Sequence, residues 1–468
     1  MNIKKDRLTK TIILSLGLAT IFYSVNFTQQ EEQTDSASVE YSVVTTAHAA
    51  APQWRKPASP TVHFTSNTPA SLRPMLTWTK VKGAVMYEIE FLSCPLPALD
   101  RNELSDNHIF STRQVYGNSY NPDLPDFATT SPIYWRVRAL NFDGEPISSF
   151  SNPEKLYFDA SIQPVNAPVP HSDFGTVNGS TLLYPVYAWL PIAHAVQYEV
   201  ELLDAPPENP NGTEPSVHRI WSAITALSDK YDDKARYSSK PFYWRVRGLD
   251  ENGNPVGVYS DAQEFVVNPD AGWEIATFGD SISHGGGSMS YSPVDWEYSY
   301  QTYLDFPVIN LSNSGDTSET AADRFEDDVL PFHPRYLIIL EGSNSIRGGT
   351  PAESVISDLK VIKTKCESNN IVPIFMTLPP INPASIEKVF NEPTSDDWRT
   401  EMDKVNQYIR TNTIYIDLAI RMNYSEGVLP ERLALDGLHP DINIKRKMAS
   451  IINSEFPKIV KTLSRKAK

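Results

Sequence analysis

The chain has 468 residues, enough for about three domains of ordinary size. Its 57 acidic against 41 basic side chains leave a formal charge of -16, which repels phosphate backbones and anionic lipid surfaces and argues against a nucleic-acid or membrane-surface partner. The two cysteines, Cys94 and Cys366, fall in different parts of the chain, so no disulfide is expected; Cys-x-x-Cys, His-Glu-x-x-His and the Walker phosphate loop are absent, so no metal or cofactor is expected either.

At the N-terminus, Lys4, Lys5, Arg7 and Lys10 precede a mostly apolar stretch over residues 11–25. That is the charge-then-apolar order of an export signal, so residues 1–27 read as an export signal or N-terminal anchor and the protein as secreted or held at the cell surface. Cleavage and anchoring both stand as alternatives. The small-x-small site Ala47-His48-Ala49 lies well beyond the apolar stretch, and the stretch is shorter than the roughly 17 to 25 residues that span a bilayer. Residues 28–57, rich in Gln, Glu, Ser and Thr, read as a disordered linker.

The middle of the chain repeats itself. Trp78 with Tyr87-Glu88-Ile89-Glu90-Phe91 recurs as Trp189 with Tyr198-Glu199-Val200-Glu201-Leu202, and Tyr134-Trp135-Arg136-Val137-Arg138 returns as Tyr243-Trp244-Arg245-Val246-Arg247, so one fold occurs twice. Period-two alternation puts Tyr87, Ile89, Phe91, Trp135 and Val137 on one buried face. Glu88, Glu90, Arg136 and Arg138 point the other way and are expected to face one another on the solvated side. Turn signals at residues 141–144 and 250–253 follow the arginine-bearing strand where a hairpin needs them. Trp78, Trp135, Trp189 and Trp244 read as core, and Tyr134 and Tyr243 are the repeated aromatics available for stacking on sugars. The pattern resembles fibronectin type III modules over residues 58–159 and 160–268, which implies two all-β sandwiches.

From Trp273 onward, apolar runs at 275–278, 308–311, 336–340, 371–376 and 414–416 alternate with helical spacing at 352–367 and 397–410. This is the signature of an α/β unit with a parallel sheet, whose functional residues gather beyond the carboxyl ends of the strands.

The first of these strands runs into Gly279-Asp280-Ser281, which puts Ser281 on a turn where a hydroxyl can be presented; taken alone, the same serine reads equally as a helix cap. Far downstream, Asp436-Gly437-Leu438-His439 supplies a carboxylate close to an imidazole. A hydroxyl needs an imidazole to take its proton, and the imidazole needs an acceptor to fix its tautomer. Donors for a developing oxyanion are offered by the glycine of Asn313-Ser314-Gly315-Asp316-Thr317 and by the amide of Asn344 in Gly342-Ser343-Asn344-Ser345, although each stretch also suits an ordinary turn. His333 precedes its strand and so falls at the wrong end of the sheet. His284 reads as a loop or helix-start residue without a carboxylate partner, and Gly285-Gly286-Gly287 as a loop beside the pocket. A Gly-x-Ser-x-Gly elbow is absent, which disfavours the α/β-hydrolase fold.

These four stretches, in this order and at these strand ends, resemble the SGNH/GDSL hydrolase family over residues 272–463. The resemblance implies a three-layer α/β domain, with Ser281 as nucleophile and Asp436 and His439 as acid and base. It also implies an oxyanion hole built from the Ser281 N–H, Gly315 and Asn344. Residues 314–318 and His333-Pro334-Arg335 look most like the thioesterase/arylesterase branch. Two positions depart from the pattern: Ser345 replaces an aspartate, and Glu341 precedes the glycine where a small residue is usual. The function expected is an extracytoplasmic serine esterase acting on O-acyl groups of carbohydrate such as an acylated polysaccharide, with the β modules as spacers. A lysophospholipase or arylesterase, and a noncatalytic glycan-binding or adhesion protein with a vestigial hydrolase domain, are the alternatives.

Overall fold

Alternation of bulky apolar and charged residues makes strands of the repeated segments. In the computed structural model the first copy contains β1 (Leu76–Thr77), β2 (Met86–Leu92), β3 (His108–Val115), β4 (Ser119–Tyr120), β5 (Ile133–Leu140) and β6 (Glu154–Leu156). They form an antiparallel sheet in the order β3-β2-β5-β6 and a pair β1-β4. The second copy contains β7 (Val169–Pro170), β8 (Val186–Leu190), β9 (Gln197–Leu203), β10 (Arg219–Thr225), β11 (Asp229–Tyr231), β12 (Phe242–Leu249), β13 (Pro255–Val256) and β14 (Gln263–Phe265). Its sheets run β10-β9-β12-β13, with β14 also on β12, and β11-β8-β7.

The structure describes residues 54–466 apart from 82–83, 85, 95–100, 116–117, 142–143, 165, 173, 286–294, 426 and 435. The expected export segment 1–27, most of the linker and residues 286–287 of the glycine run lie outside the described residues. The end of the linker is not free chain, because the Arg55 N–H donates to the Ile147 carbonyl at 2.8 Å.

The four tryptophans of the repeat are buried as expected, Trp78 lying 5.4 Å from Tyr87 and Trp189 the same distance from Tyr198. Tyr134 and Tyr243 are half-buried, and Lys155 Nζ lies 5.8 Å from the Tyr134 ring. The expectation of a solvated charged face fails. Glu88 pairs with Arg138 and Glu90 with Arg136 in register, as do Glu199 with Arg247 and Glu201 with Arg245, yet Glu90, Arg136, Glu201 and Arg245 are fully buried. The cause is the long β2–β3 and β9–β10 connections, which fold over this face. Arg136 donates to Glu90 at 2.5 Å and to the Glu103 carbonyl at 2.6 Å, under the Phe150 ring 4.2 Å away. Arg245 donates to Glu201 at 2.6 Å and to the carbonyls of Asn209, Pro210 and Glu214, with the Tyr259 ring 4.1 Å away. Strand periodicity distinguishes two faces, but it does not register a loop closing over one of them.

The C-terminal part is a parallel sheet of β15 (Ile275–Gly279), β16 (Ile309–Asn310), β17 (Tyr336–Leu340), β18 (Val372–Met376) and β19 (Tyr415–Ile416), in the order β16-β15-β17-β18-β19. Every residue of β15 and β17 is buried, which is why these strands are continuous apolar runs. Helix Ala352–Ser368 packs against β18 and helix Trp398–Asn412, while helix Ile442–Lys466 packs against β19. Both helices expected from spacing are present within two residues of their predicted ends. Because β16 lies on one side of β15 and β17 on the other, the strand order reverses here, and the crevice at the carboxyl ends of β15 and β17 is where ligands bind in such sheets.

The second module packs directly on the α/β part. The Leu183 N–H donates to the Asn310 carbonyl at 2.9 Å and the Asn310 N–H to the Thr181 carbonyl at 3.1 Å, so the second module continues the parallel sheet beyond its β16 edge. Asn178 donates to the carbonyls of Gln301 and Phe306 and accepts from the Val308 N–H at 3.0 Å. Leu183, Tyr184 and Trp244 belong to the same hydrophobic core as Phe278 and Leu340. Residues 178–183 look like turn sequence and carry no period that announces this docking.

Glu201→Gln removes a charge from a fully buried pair and should lower stability by about 3 to 5 kcal/mol. Arg335→Ala breaks a pair with Glu274 in which both partners are 64% exposed, and should change stability by less than about 1 kcal/mol. Urea unfolding midpoints check both.

Candidate active site

β15 ends at a glycine because β17 leaves no room for a side chain: a Cβ on Gly279 would sit 2.0 Å from the Leu340 carbonyl oxygen. Asp280 follows and caps the short helix Ser281–His284, accepting from the Ile282 N–H at 2.9 Å. The capping role open to Ser281 in the sequence therefore belongs to Asp280. Ser281 takes the first helical position, where a backbone N–H has no partner within the helix.

The loop carrying the imidazole is built around Asp436. One carboxylate oxygen accepts from the N–H groups of Leu438 at 2.9 Å and His439 at 2.8 Å, and the other faces His439 Nδ1 at 2.8 Å. Gly437 between them has φ 75° and lies so close to the Asn382 carbonyl that a Cβ would be 2.4 Å from it. Because Asp436 can only accept, Nδ1 carries the ring proton. Nε2 is then the acceptor, and it lies 2.8 Å from Ser281 Oγ. Burial works to raise the Asp436 carboxyl, but the His439 ring and three hydrogen bonds outweigh it and hold the pKa below the ordinary carboxylate value. The three residues expected to act together, Ser281, His439 and Asp436, thus form one continuous hydrogen-bonded chain.

The two oxyanion candidates are joined to each other. Asn344 Nδ2 donates to the Asp316 carbonyl at 2.8 Å, and its Oδ1 accepts from Arg347 Nε at 3.0 Å, which fixes the amide with its nitrogen toward the glycine loop. Gly315 sits in that loop at φ 93°, exposed, with open space where a Cβ would be. Ser345, the departure from the family pattern, accepts from the Ser318 N–H at 2.9 Å, so it ties the Asn344 turn to the residues after Gly315.

Several ionisable groups lie beneath the site, of which the sequence singled out Asp280 and Glu341 but not Lys445. Glu341 follows Leu340 as Asp280 follows Gly279, and these strand ends are in register. Both carboxyls are buried. Burial, with Asp280 and Asp316 adding to it, holds the Glu341 pKa well above the ordinary value. Burial likewise raises Asp280 to about 6 and lowers Lys445 to about 7. Lys445 donates to the Ile282 carbonyl at 2.7 Å. The one signal for Lys445 was its place on the apolar stripe of helix Ile442–Lys466, in line with Met448 and Ala449.

The other histidines take no part in this chain. His333 is exposed at φ 47° before β17. His284 is buried at the end of the short helix, with Nδ1 2.8 Å from Ser314 Oγ and Nε2 2.8 Å from the Tyr184 carbonyl. A carbonyl only accepts, so Nε2 carries the proton and the Ser314 hydroxyl donates to Nδ1. Burial lowers this ring to about 4.

Residues 277–442 match the GDSL-like Lipase/Acylhydrolase family. This part of the chain is a GDSL-type hydrolase domain. The protein is accordingly a carboxylic ester hydrolase. Solved structures similar to this chain include a lipase/acylhydrolase from Enterococcus faecalis, at 24% identity over 39% of this chain and 93% of that one, with a TM-score of 0.31. A GDSL-like lipase from Bacteroides thetaiotaomicron is 18% identical over 39% and 87%, with a TM-score of 0.32. A catalytic mutant of an acetylxylan esterase from Geobacillus stearothermophilus is 20% identical over 39% and 92%, with a TM-score of 0.31. No curated protein matches the chain.

The buried His284 ring gives the GDSL-type domain an acid sensitivity with a definite sign. Its folded pKa of about 4 lies below the ordinary 6.5, so between those values the unfolded chain binds a proton that the folded chain does not. The contribution is complete above about pH 6.5 and erodes as pH falls toward 4. Between pH 7 and pH 5 the wild type should lose about 2 kcal/mol more stability than His284→Gln, as read from urea midpoints at the two pH values.

Proposed function

We propose that this protein is an extracytoplasmic serine esterase that removes O-acyl groups from carbohydrate, with Ser281 as nucleophile, His439 as general base and Asp436 as its orienting carboxylate. The observation that carries the reading is the unbroken hydrogen-bonded chain from Ser281 Oγ through His439 to Asp436 at the carboxyl end of β15.

The chemistry follows from that chain. Ser281 Oγ attacks the ester carbonyl carbon while its proton passes to His439 Nε2, and Asp436 stabilises the imidazolium that forms. Negative charge moves onto the carbonyl oxygen. The donors that receive it are the Ser281 N–H, the Gly315 N–H and the Asn344 amide, all fixed before reaction and so requiring no reorganisation. Collapse of the tetrahedral species expels the alcohol, which takes its proton from His439. Water then attacks the acyl-serine by the same route and releases the acid.

The carbohydrate part of the reading rests on the export pattern at residues 1–27 and on the repeated β modules, which suit a fibronectin type III-like accessory region of an enzyme that works on polymers outside the cell.

Ser281→Ala should abolish turnover of p-nitrophenyl acetate, and Asn344→Ala should lower kcat by roughly two to three orders of magnitude, about 2.7 to 4 kcal/mol. An unchanged kcat in Asn344→Ala would remove that amide from the oxyanion hole. Acetate release from acetylated polysaccharide should outpace acyl release from lysophospholipid, and the reverse order would replace the carbohydrate reading with the lipid one.

A further inference from the structure

We infer that the second β module is a working part of the active site, holding the Gly315 loop in place through Tyr231, Tyr184 and His284. The inference rests on the esterase reading above, because it assigns these residues to the oxyanion donor of that reaction. None of the three is given a reacting atom; they are positioning residues.

From its own side the Gly315 loop is held by the Asn313 N–H on the Gly279 carbonyl at 2.9 Å and by Asn344 on the Asp316 carbonyl at 2.8 Å. It follows β16, a strand of only two residues at the edge of the sheet. An edge strand that short cannot by itself fix a turn beyond its end. Further support comes from across the interface. The backbone at Asn310 is paired on its outer side with residues 181–183 of the module. Beyond it, three consecutive anchors reach the loop itself.

The Tyr231 hydroxyl donates to the Asn313 side-chain oxygen. The Ser314 hydroxyl donates to His284 Nδ1 at 2.8 Å, and His284 Nε2 donates to the Tyr184 carbonyl at 2.8 Å. Asp316 accepts from Arg324 Nε at 2.6 Å; the same guanidinium donates to Asp328 at 2.9 Å, and Asp328 accepts from the Tyr184 hydroxyl at 2.6 Å. Tyr184 thus grips the loop by its main chain through one relay and by its side chain through another. Tyr231 lies edge-on to the His284 ring, with centroids 5.2 Å apart. The two tyrosines are themselves held together, because Tyr231 is paired in register with Val186 on the strand that begins just after Tyr184. Residues 313, 314 and 316, on both sides of the glycine, are therefore all referred to one sheet of the module.

Such anchoring bears on rate more than on binding. An oxyanion donor acts only when it is aimed at the transition-state oxygen, and displacement by a fraction of an ångström weakens it without disturbing the groups that hold the ground-state ester.

The test uses the full-length protein with p-nitrophenyl acetate as substrate and phenylboronic acid as inhibitor. The boron forms a bond to the serine oxygen while the serine proton passes to the imidazole, so the adduct carries a tetrahedral anion into the hole. Tyr231→Phe and Ser314→Ala should each lower kcat about tenfold with KM changed less than about twofold, and should weaken phenylboronic acid by a factor similar to the loss in kcat. Tyr237→Ala is the control. Tyr237 packs against Phe332 at the same interface, with centroids 5.6 Å apart, away from the Tyr231, Tyr184 and His284 anchors, and its loss should leave kcat and boronate affinity unchanged.

Wild-type values of both constants in Tyr231→Phe and Ser314→Ala would overturn the inference while leaving the esterase reading intact. So would an equal loss in Tyr237→Ala, which would reduce the module to general support. A wild-type protein with no turnover, whose behaviour is the same as Ser281→Ala, would overturn the esterase reading and this inference with it.

Discussion

The close approach of β15 to β17 is the constraint on which the site depends. With the Leu340 carbonyl where a Gly279 side chain would be, the two parallel strands end level with each other. The next residues on each strand then stand side by side. Ser281 and Asn344 come from the two turns that leave this junction, so the nucleophile and one oxyanion donor owe their separation to backbone pairing and not to side-chain packing. Loops held by a buried sheet are well suited to chemistry that tolerates little movement.

The same junction forces carboxyls together underneath. Asp280 must be present to cap the helix that presents Ser281, and Glu341 caps its own strand end by accepting from the Gly342 N–H at 2.8 Å. Two ionised acids at such a spot would be costly: burial and the neighbouring Asp280 push the Glu341 pKa well above its ordinary value, and Lys445 and Arg324 lie in the neighbourhood. The site therefore combines one carboxyl whose pKa is lowered beside His439 with another whose pKa is raised beneath the nucleophile. Their environments, not their residue types, set the difference.

Much of this was legible in the sequence, for reasons that vary by element. Continuous apolar runs gave the five parallel strands because a sheet covered on both faces needs them, and the stripe of Val355, Leu359 and Ile362 gave its helix. Ser281, Asp436 and His439 could be singled out because their chemistry demands those residue types at those turns. Hidden from the sequence were features that depend on which surfaces meet. Alternation located Glu90 and Arg136 on one face but not the loop above them. Nothing local to Tyr184 or Tyr231 indicated that they would meet the α/β part, since a single tyrosine on a strand has no period and no motif.

Backbone pairing between residues 181–183 and β16 also changes what counts as a domain in this chain. The covalent boundary near residues 269–271 is not where cooperativity ends, because a sheet and a core run through both parts. Heat or denaturant must therefore open the second module and the GDSL-type part as one folding unit. A protease that nicked the connection near residue 270 would leave the two pieces noncovalently joined. Recombination that exchanged this module for another β module would have to reproduce an edge of the enzyme's sheet as well as a fold.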